Sequence, residues 1–191
     1  MTDTLPIKRW TRPEYARLIE CGAFGPEERI ELLGGLLVVR EPQRGPDALG
    51  IRMVQEALRR VFREGWDVRG RLPVALDDES EPEPDVSVVP GSFRDYADDH
   101  PAHPALVVEI AESSLPVDRG EKAGLYARAG LADYWIVNLV ARVLEIYRDP
   151  VADPAAPYGW RYASVATLRH GDVVTPLAAP AGPIPVADLV P

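Results

Sequence analysis

The stretch that most constrains this chain is ALVVEIA, residues 105–111, in which six of seven residues are apolar and do not alternate with polar ones. A run this short and this rich in valine predicts a strand buried on both faces of a sheet. Such a strand needs cover on both sides, which helices packed on a sheet supply, so the expected class is α/β. The one interruption is Glu109. A carboxylate is costly to bury alone. Either Glu109 reaches solvent at an edge or it has a partner, and a metal ion is the partner that best offsets a buried carboxylate.

The flanking elements fit that frame. Thr11 with Pro13 and Glu14 predicts a helix start, and the helix runs to about Cys21 before Gly22. Residues 29–40 read as a hairpin turning at Gly34-Gly35. Asp47 is the expected cap of a second helix with Ile51, Val54, Leu58, Val61 and Phe62 at helical spacing. Residues 66–76 form a candidate strand, with Pro73 pointing to an edge or bulge. The acidic run 77–85, DDESEPEPD, reads as a solvated loop except at its last residue. Asp85 opens the apolar run Val86 to Val89 and is expected at the mouth of a short strand. Residues 116–129 predict a helix ended by Gly130, followed by strands at 133–138 and 142–148 and a further candidate at 160–165. The Pro-rich tail from Ala178 is expected on the surface.

If the strands holding Asp85 and Glu109 are neighbours, two carboxylates converge at one end of the sheet. Hard divalent ions such as Mg²⁺ or Mn²⁺ suit this all-oxygen chemistry, and the backbone carbonyl of Ile110 would be close enough to add a ligand. Composition then singles out Lys122. Of 21 basic residues only Lys8 and Lys122 are lysine, so arginine is used wherever a generic cation suffices. Lysine is a compact ammonium with a movable pKa, unlike the planar and permanently charged arginine fork. Lys122 stands at i, i+4 from Asp118, which reads either as a surface salt bridge or as a cation beside the metal.

The formal net charge of −9 argues against a protein that coats DNA without specificity, although a local basic strip can coexist with an acidic body. Arg29, Arg44, Arg52, Arg94 and Arg119 are the candidates for such a strip. A single cysteine, Cys21, excludes a disulfide framework and a cysteine-based zinc cluster. It is read as a small residue closing the first helix. His100, His103 and His170 read as loop residues rather than ligands. No apolar run reaches the roughly 18 residues of a membrane span, and residues 1–10 lack a signal-peptide core, so the cytoplasm is the expected address. At 191 residues one domain is expected.

The block LVVEIAESSLPVDRGEKAGLYARAGLADYWIVNLVARVLEIY, residues 106–147, resembles the Uma two family of restriction endonucleases in the PD-(D/E)XK nuclease superfamily. EPEPDVSVVPG, with its Pro84-Asp85, resembles the preceding motif, and ERIELLGGLLVVREPQ resembles the N-terminal hairpin motif. The likeness covers about residues 10–150. It implies a restriction-endonuclease-like mixed sheet with flanking helices and an N-terminal helix–hairpin–helix extension. It also implies Asp85 and Glu109 as metal carboxylates. The usual superfamily lysine two positions after the acid is replaced by Ala111, and the resemblance moves that role to Lys122. Glu31 matches an acidic position that would support the metal or a water; the other reading is a polar strand residue facing solvent. Relatives often carry a histidine where this chain has Asp47.

The expected function is Mg²⁺-dependent hydrolysis of DNA phosphodiester bonds, with a homodimer or higher homo-oligomer by analogy to nucleases of this size. The alternatives are a non-catalytic binding or regulatory protein of the same fold and a hydrolase of small phosphoesters.

Overall fold

The structure, a computed structural model, describes residues 6–40 and 45–191. Helix α1 (Arg12–Glu20) starts with Thr11 and Glu14 in a reciprocal capping box and ends at Cys21, the C-cap, as its sequence suggests. Strands β1 (Ile30–Leu33) and β2 (Leu36–Val39) pair antiparallel. Their turn needs positive φ at both central residues, and Gly34 and Gly35 supply it at +54° and +80°. Helix α2 (Gly45–Val61) begins two residues before the expected cap, so Asp47 lies in its first turn.

A six-stranded sheet forms the centre, in the order β3 (Trp66–Gly70), β4 (Val86–Pro90), β5 (Leu106–Ala111), β6 (Asp133–Asn138), β7 (Val143–Ala152) and β8 (Trp160–Leu168). All neighbours are antiparallel except β5 and β6. That parallel pair requires a crossover, which is the helical stretch α3 (Leu115–Val117), a π-helical turn (Asp118–Lys122) and α4 (Ala123–Arg128). The single helix expected over this stretch is thus wound more loosely at DRGEK, and wide turns of this kind are common at functional sites.

β5 is buried at all six positions, as its composition suggests. Leu106, Val108 and Ile110 join α2 residues Ile51, Val54 and Leu58 in one core. Val107 and Ala111 join Tyr126, Ala127, Tyr134, Tyr147 and Tyr162 in a second core. The strand period is two, so Glu109 faces this tyrosine-rich side.

Three expectations are corrected. The tail is not a surface segment: β9 (Val173–Val174) pairs with β10 (Ile184–Pro185), and Ile184, Val186, Leu189 and Val190 fill the α2-side core. Prolines mask this in the sequence by breaking the apolar periodicity. The acidic run 77–85 is packed rather than solvated. The Glu81 amide donates to the Leu32 carbonyl, Glu81 pairs with Arg12, Asp77 pairs with Arg128, and Ser80 is buried. Strand β3 stops at Gly70, where a Cβ would lie 2.3 Å from Gln55 Nε2, and Arg71 follows at φ +52°. The chain turns away there instead of extending to Leu76.

Candidate active site

Asp85 sits immediately before β4, and β4 and β5 are hydrogen-bonded neighbours. The Asp85 amide donates to Glu109 Oε2 at 3.3 Å, and the Ile110 amide donates to Asp85 Oδ2 at 2.9 Å. The sheet therefore brings the two acids to one end of adjacent strands. Lys122 reaches them from the π-helical turn, with Nζ at 3.0 Å from Glu109 Oε1, 3.5 Å from Glu31 Oε2 and 4.0 Å from Asp118 Oδ1. Glu31 on β1 also accepts the Glu83 amide at 2.9 Å. Asp85, Glu109, Ile110, Lys122 and Glu31 all line one pocket of about 230 Å³, together with Asp118, Arg40, Arg71 and Asp47. At roughly 30 Å³ per water, that volume suits a phosphoryl group, an ion and a few waters.

Burial removes one reading each for Lys122 and Glu31. Lys122 is 6% exposed, so its pairing with Asp118 is not a surface salt bridge. Glu31 is 2% exposed and faces the protein interior, not solvent.

Charge is distributed unevenly in this pocket. Burial pushes the Glu109 carboxyl up to about 7, against the pull of Lys122, with Asp118 and Asp85 adding to the rise. Burial also raises Asp118. Burial works against the Lys122 ammonium, but Glu109, Glu31 and Asp118 more than offset it and hold the charge on. Arg40 is likewise kept charged despite burial by Glu31, Glu109 and Asp85.

Four side chains of the cluster escaped the sequence reading in part or whole. Tyr126, one turn after Lys122, donates to Glu109 Oε1 at 2.8 Å, and its i, i+4 spacing from Lys122 was a usable signal. Arg40 donates to Asp85 Oδ1 at 3.0 Å, and Arg71 approaches the same oxygen at 3.3 Å. The sequence marks Asp118 only as a partner of Lys122. It is 2% exposed, and among the described residues its Oδ2 has no hydrogen-bond partner.

Among the described residues the expected basic strip is not at this pocket. Neither Arg29, Arg52, Arg94 nor Arg119 lines it, and Arg44 lies outside the described residues. Arg119 instead holds Glu145, on the far side of β6. None of the three histidines lines the pocket.

Among the described residues no three His, Cys, Asp or Glu side chains already converge as a metal centre. Asp85 is turned to arginines and Glu109 to Lys122 and Tyr126. The donor chemistry still fits a hard divalent cation. Four buried carboxylates, Glu31, Asp85, Glu109 and Asp118, share the pocket, and Asp118 Oδ2 has no hydrogen-bond partner among the described residues.

Comparison with known proteins agrees with this architecture. A solved structure described as a "putative nuclease belonging to DUF820", from Anabaena variabilis ATCC 29413, superposes with a TM-score of 0.71. The match covers 96% of this chain and 97% of that one at 16% identity, and at that identity it speaks for the fold. No curated protein matches the chain. The model of one family, Uma2, described as "Putative restriction endonuclease", matches residues 12–184. That span takes in the six-stranded sheet and every residue lining the pocket, and the chain belongs to the Uma2 family.

Proposed function

We propose that the chain is one nuclease-like domain that hydrolyses DNA phosphodiester bonds with the help of Mg²⁺, or Mn²⁺ in its stead. The observation that carries this reading is a surplus of buried oxygen ligands beside a buried lysine in a phosphate-sized pocket. Asp85, Glu109 and the backbone carbonyl of Ile110 would hold the ion, with Glu31 supporting it or a water. A bound divalent ion lowers the pKa of a coordinated water and polarises a phosphoryl oxygen. In hydrolysis the water oxygen bonds to phosphorus, a P–O ester bond breaks, and the departing oxygen takes a proton.

The protein's own groups divide the remaining work. Lys122 stays protonated at neutral pH and so acts as a fixed positive charge beside the reacting phosphate rather than as a base. Tyr126 and the Asp85 amide hold the Glu109 carboxylate in one orientation. The parallel β5–β6 pair fixes the crossover and hence the distance from Glu109 to Lys122. A pair of copies acting in the cytoplasm on the two strands of a duplex completes the reading. Among the described residues no helix is long and apolar enough to cross a membrane.

The test couples binding to cleavage. Mn²⁺ should raise the melting temperature of the wild type, since a ligand bound only to the native state stabilises it by about 2.7 kcal/mol at a hundred times Kd. Asp85→Asn should remove most of that increment and abolish Mg²⁺-dependent cleavage of plasmid and single-stranded DNA. Without metal, Asp85→Asn should cost about 1–3 kcal/mol, because it leaves Arg40 short of a partner. These arginine contacts outweigh the relief of repulsion between Asp85 and Glu109. Equal Mn²⁺ shifts in wild type and variant would move the ion elsewhere. Metal binding without cleavage of any DNA would leave a non-catalytic member of the fold.

A further inference from the structure

Two guanidinium groups share one oxygen of Asp85, and they are held very differently. Arg40 Nη2 lies 3.0 Å from Asp85 Oδ1, its Nη1 donates to the Glu83 carbonyl at 2.6 Å, and its Nε lies 3.5 Å from Glu31. It is anchored at three points. Among the described residues Arg71 has one side-chain contact, Nη2 to Asp85 Oδ1 at 3.3 Å. A charge-assisted bond of this type normally measures about 2.7–2.9 Å. Among the described residues the Arg71 Nε is buried and without a hydrogen-bond partner.

The backbone beneath Arg71 points the same way. Its φ is +52°, in a region that glycine enters freely and arginine does not. The preceding Gly70 ends β3 and lets the Gln55 side chain approach the backbone closely. The turn is closed by the Arg71 amide donating to the Asp85 carbonyl at 3.1 Å. An unfavourable backbone state thus keeps a long cation at the lining of the pocket with its donor fork half used. Strain of this kind persists where the surrounding structure over-determines it, and it concentrates at functional sites.

We propose that Arg71 is the phosphate-binding residue of this pocket: it balances Asp85 while no metal is bound, and it turns its fork to a phosphodiester oxygen once a divalent cation takes over Asp85. The proposal rests on the nuclease reading above. Arg71 fits the role and Arg40 does not, because releasing Arg40 breaks its hold on Asp85, Glu83 and Glu31 together, and releasing Arg71 breaks one long contact among the described residues. A guanidinium fork suits phosphate through two parallel N–H donors, and the unpartnered Nε with Nη2 supplies such an edge. The exchange makes metal and DNA backbone bind cooperatively, since each favours the state in which Arg71 has left Asp85.

The test uses a fluorescein-labelled 15-nucleotide duplex with Ca²⁺ or with EDTA, and Mn²⁺ binding to the free protein followed by electron paramagnetic resonance. The variants are Arg71→Gln and Arg71→Gly; the glycine is at ease at this φ, so loss of folding does not obscure the result. Arg161→Gln, at an exposed arginine outside the pocket, is the control. Both Arg71 variants should weaken Ca²⁺-dependent duplex binding about fivefold or more, the low end of measured site-to-site couplings. Binding in EDTA should change less than twofold. Mn²⁺ should bind the variants as tightly as wild type or tighter, because Asp85 has lost a competing cation. A residue that merely supported Asp85 would weaken Mn²⁺ binding, and that result overturns the proposal. Unchanged duplex affinity in Ca²⁺ overturns it too, while leaving the nuclease reading intact. Absence of Ca²⁺-dependent duplex binding in wild type removes the nuclease reading and this proposal with it.

Discussion

Glu109 and Glu145 stand in one row across the sheet, each in register with Ile136 on the strand between them. Both face the tyrosine-rich side, and both are held by a cation from the same π-helical turn, Lys122 for Glu109 and Arg119 for Glu145. Their chemistry is opposite. Glu145 is fully served: Arg119 grips both oxygens, and Asn138 and Tyr147 donate at 2.8 and 3.0 Å. Burial pushes its pKa up, but these donors outweigh it and hold the carboxyl below its ordinary value. Glu109 shares its cation with Glu31 and Asp118, and burial drives its pKa up. Asp133 on β6 repeats the first pattern, with Trp135, Arg148 and the Leu177 amide all donating to it. A buried carboxylate alone therefore does not mark a site in this protein. A surplus of carboxylates over donors is what sets the Glu109 pocket apart from Glu145 and Asp133.

The sharpest way to break this contrast is to neutralise each glutamate. Glu109→Gln is expected to cut Mg²⁺-dependent DNA cleavage by roughly a hundredfold or more, a loss of about 2.7 kcal/mol of transition-state stabilisation. Glu145→Gln should leave cleavage within about threefold and cost about 1 kcal/mol of stability, a modest figure because Arg119 is half exposed. Steady-state cleavage with urea unfolding of the same two proteins checks both. Comparable activity losses would show that the two glutamates are one functional unit.

Lys122→Arg probes the other half of each pair. A larger fork forced into a buried ammonium site should cost about 1–3 kcal/mol by overpacking, more than the surface change its helical spacing suggests. Cleavage should fall at least about tenfold. Arg119→Lys, at the half-exposed partner of Glu145, should move stability by less than about 0.5 kcal/mol. Denaturant midpoints and cleavage rates for the two swaps decide this, and a neutral Lys122→Arg would mean the ammonium site is roomier than its burial indicates.

The smallest expected effect is on pH dependence in EDTA, where the two glutamates should act with opposite sign. Glu109 is raised from 4.5 to about 7, so the folded state binds its proton more tightly. The stability this adds is complete below about pH 4.5 and is lost as pH rises through about 7. Glu145 is lowered, so its contribution is present above its ordinary value and is lost as pH falls below it. Melting temperatures of wild type and Glu109→Gln should therefore converge or cross between pH 5 and 8, with Asp118 adding a slope of the same sign to both. Parallel curves over that range would remove the asymmetry between the glutamates.

Much of the architecture was written locally. The apolar character of β5, broken only at Glu109, predicted a strand covered on both sides, and the structure has α2 on one face and α4 on the other. The capping box at Thr11, the Gly-Gly hairpin and the helix beginning near Pro116 are short-range patterns, and each element is present. Asp85, Glu109 and Lys122 stood out because each broke a local rule: an acid opening an apolar strand, an acid inside one, a lysine in an arginine-rich chain.

What only the tertiary structure decided is which charges meet and which are shielded. Periodicity says on which face of a strand Glu31 lies, but not that the face is covered by a loop some 50 residues away in sequence. Arg40 and Arg71 looked like any other arginine, and their common claim on Asp85 arises from the antiparallel pairing of β3 with β4 and the approach of the hairpin. The tail's place in the core and the packing of the acidic run have the same cause. Local sequence encodes propensity and face, whereas burial and the pairing of charges depend on contacts between segments distant in the chain, where the desolvation that makes a carboxylate unusual is created.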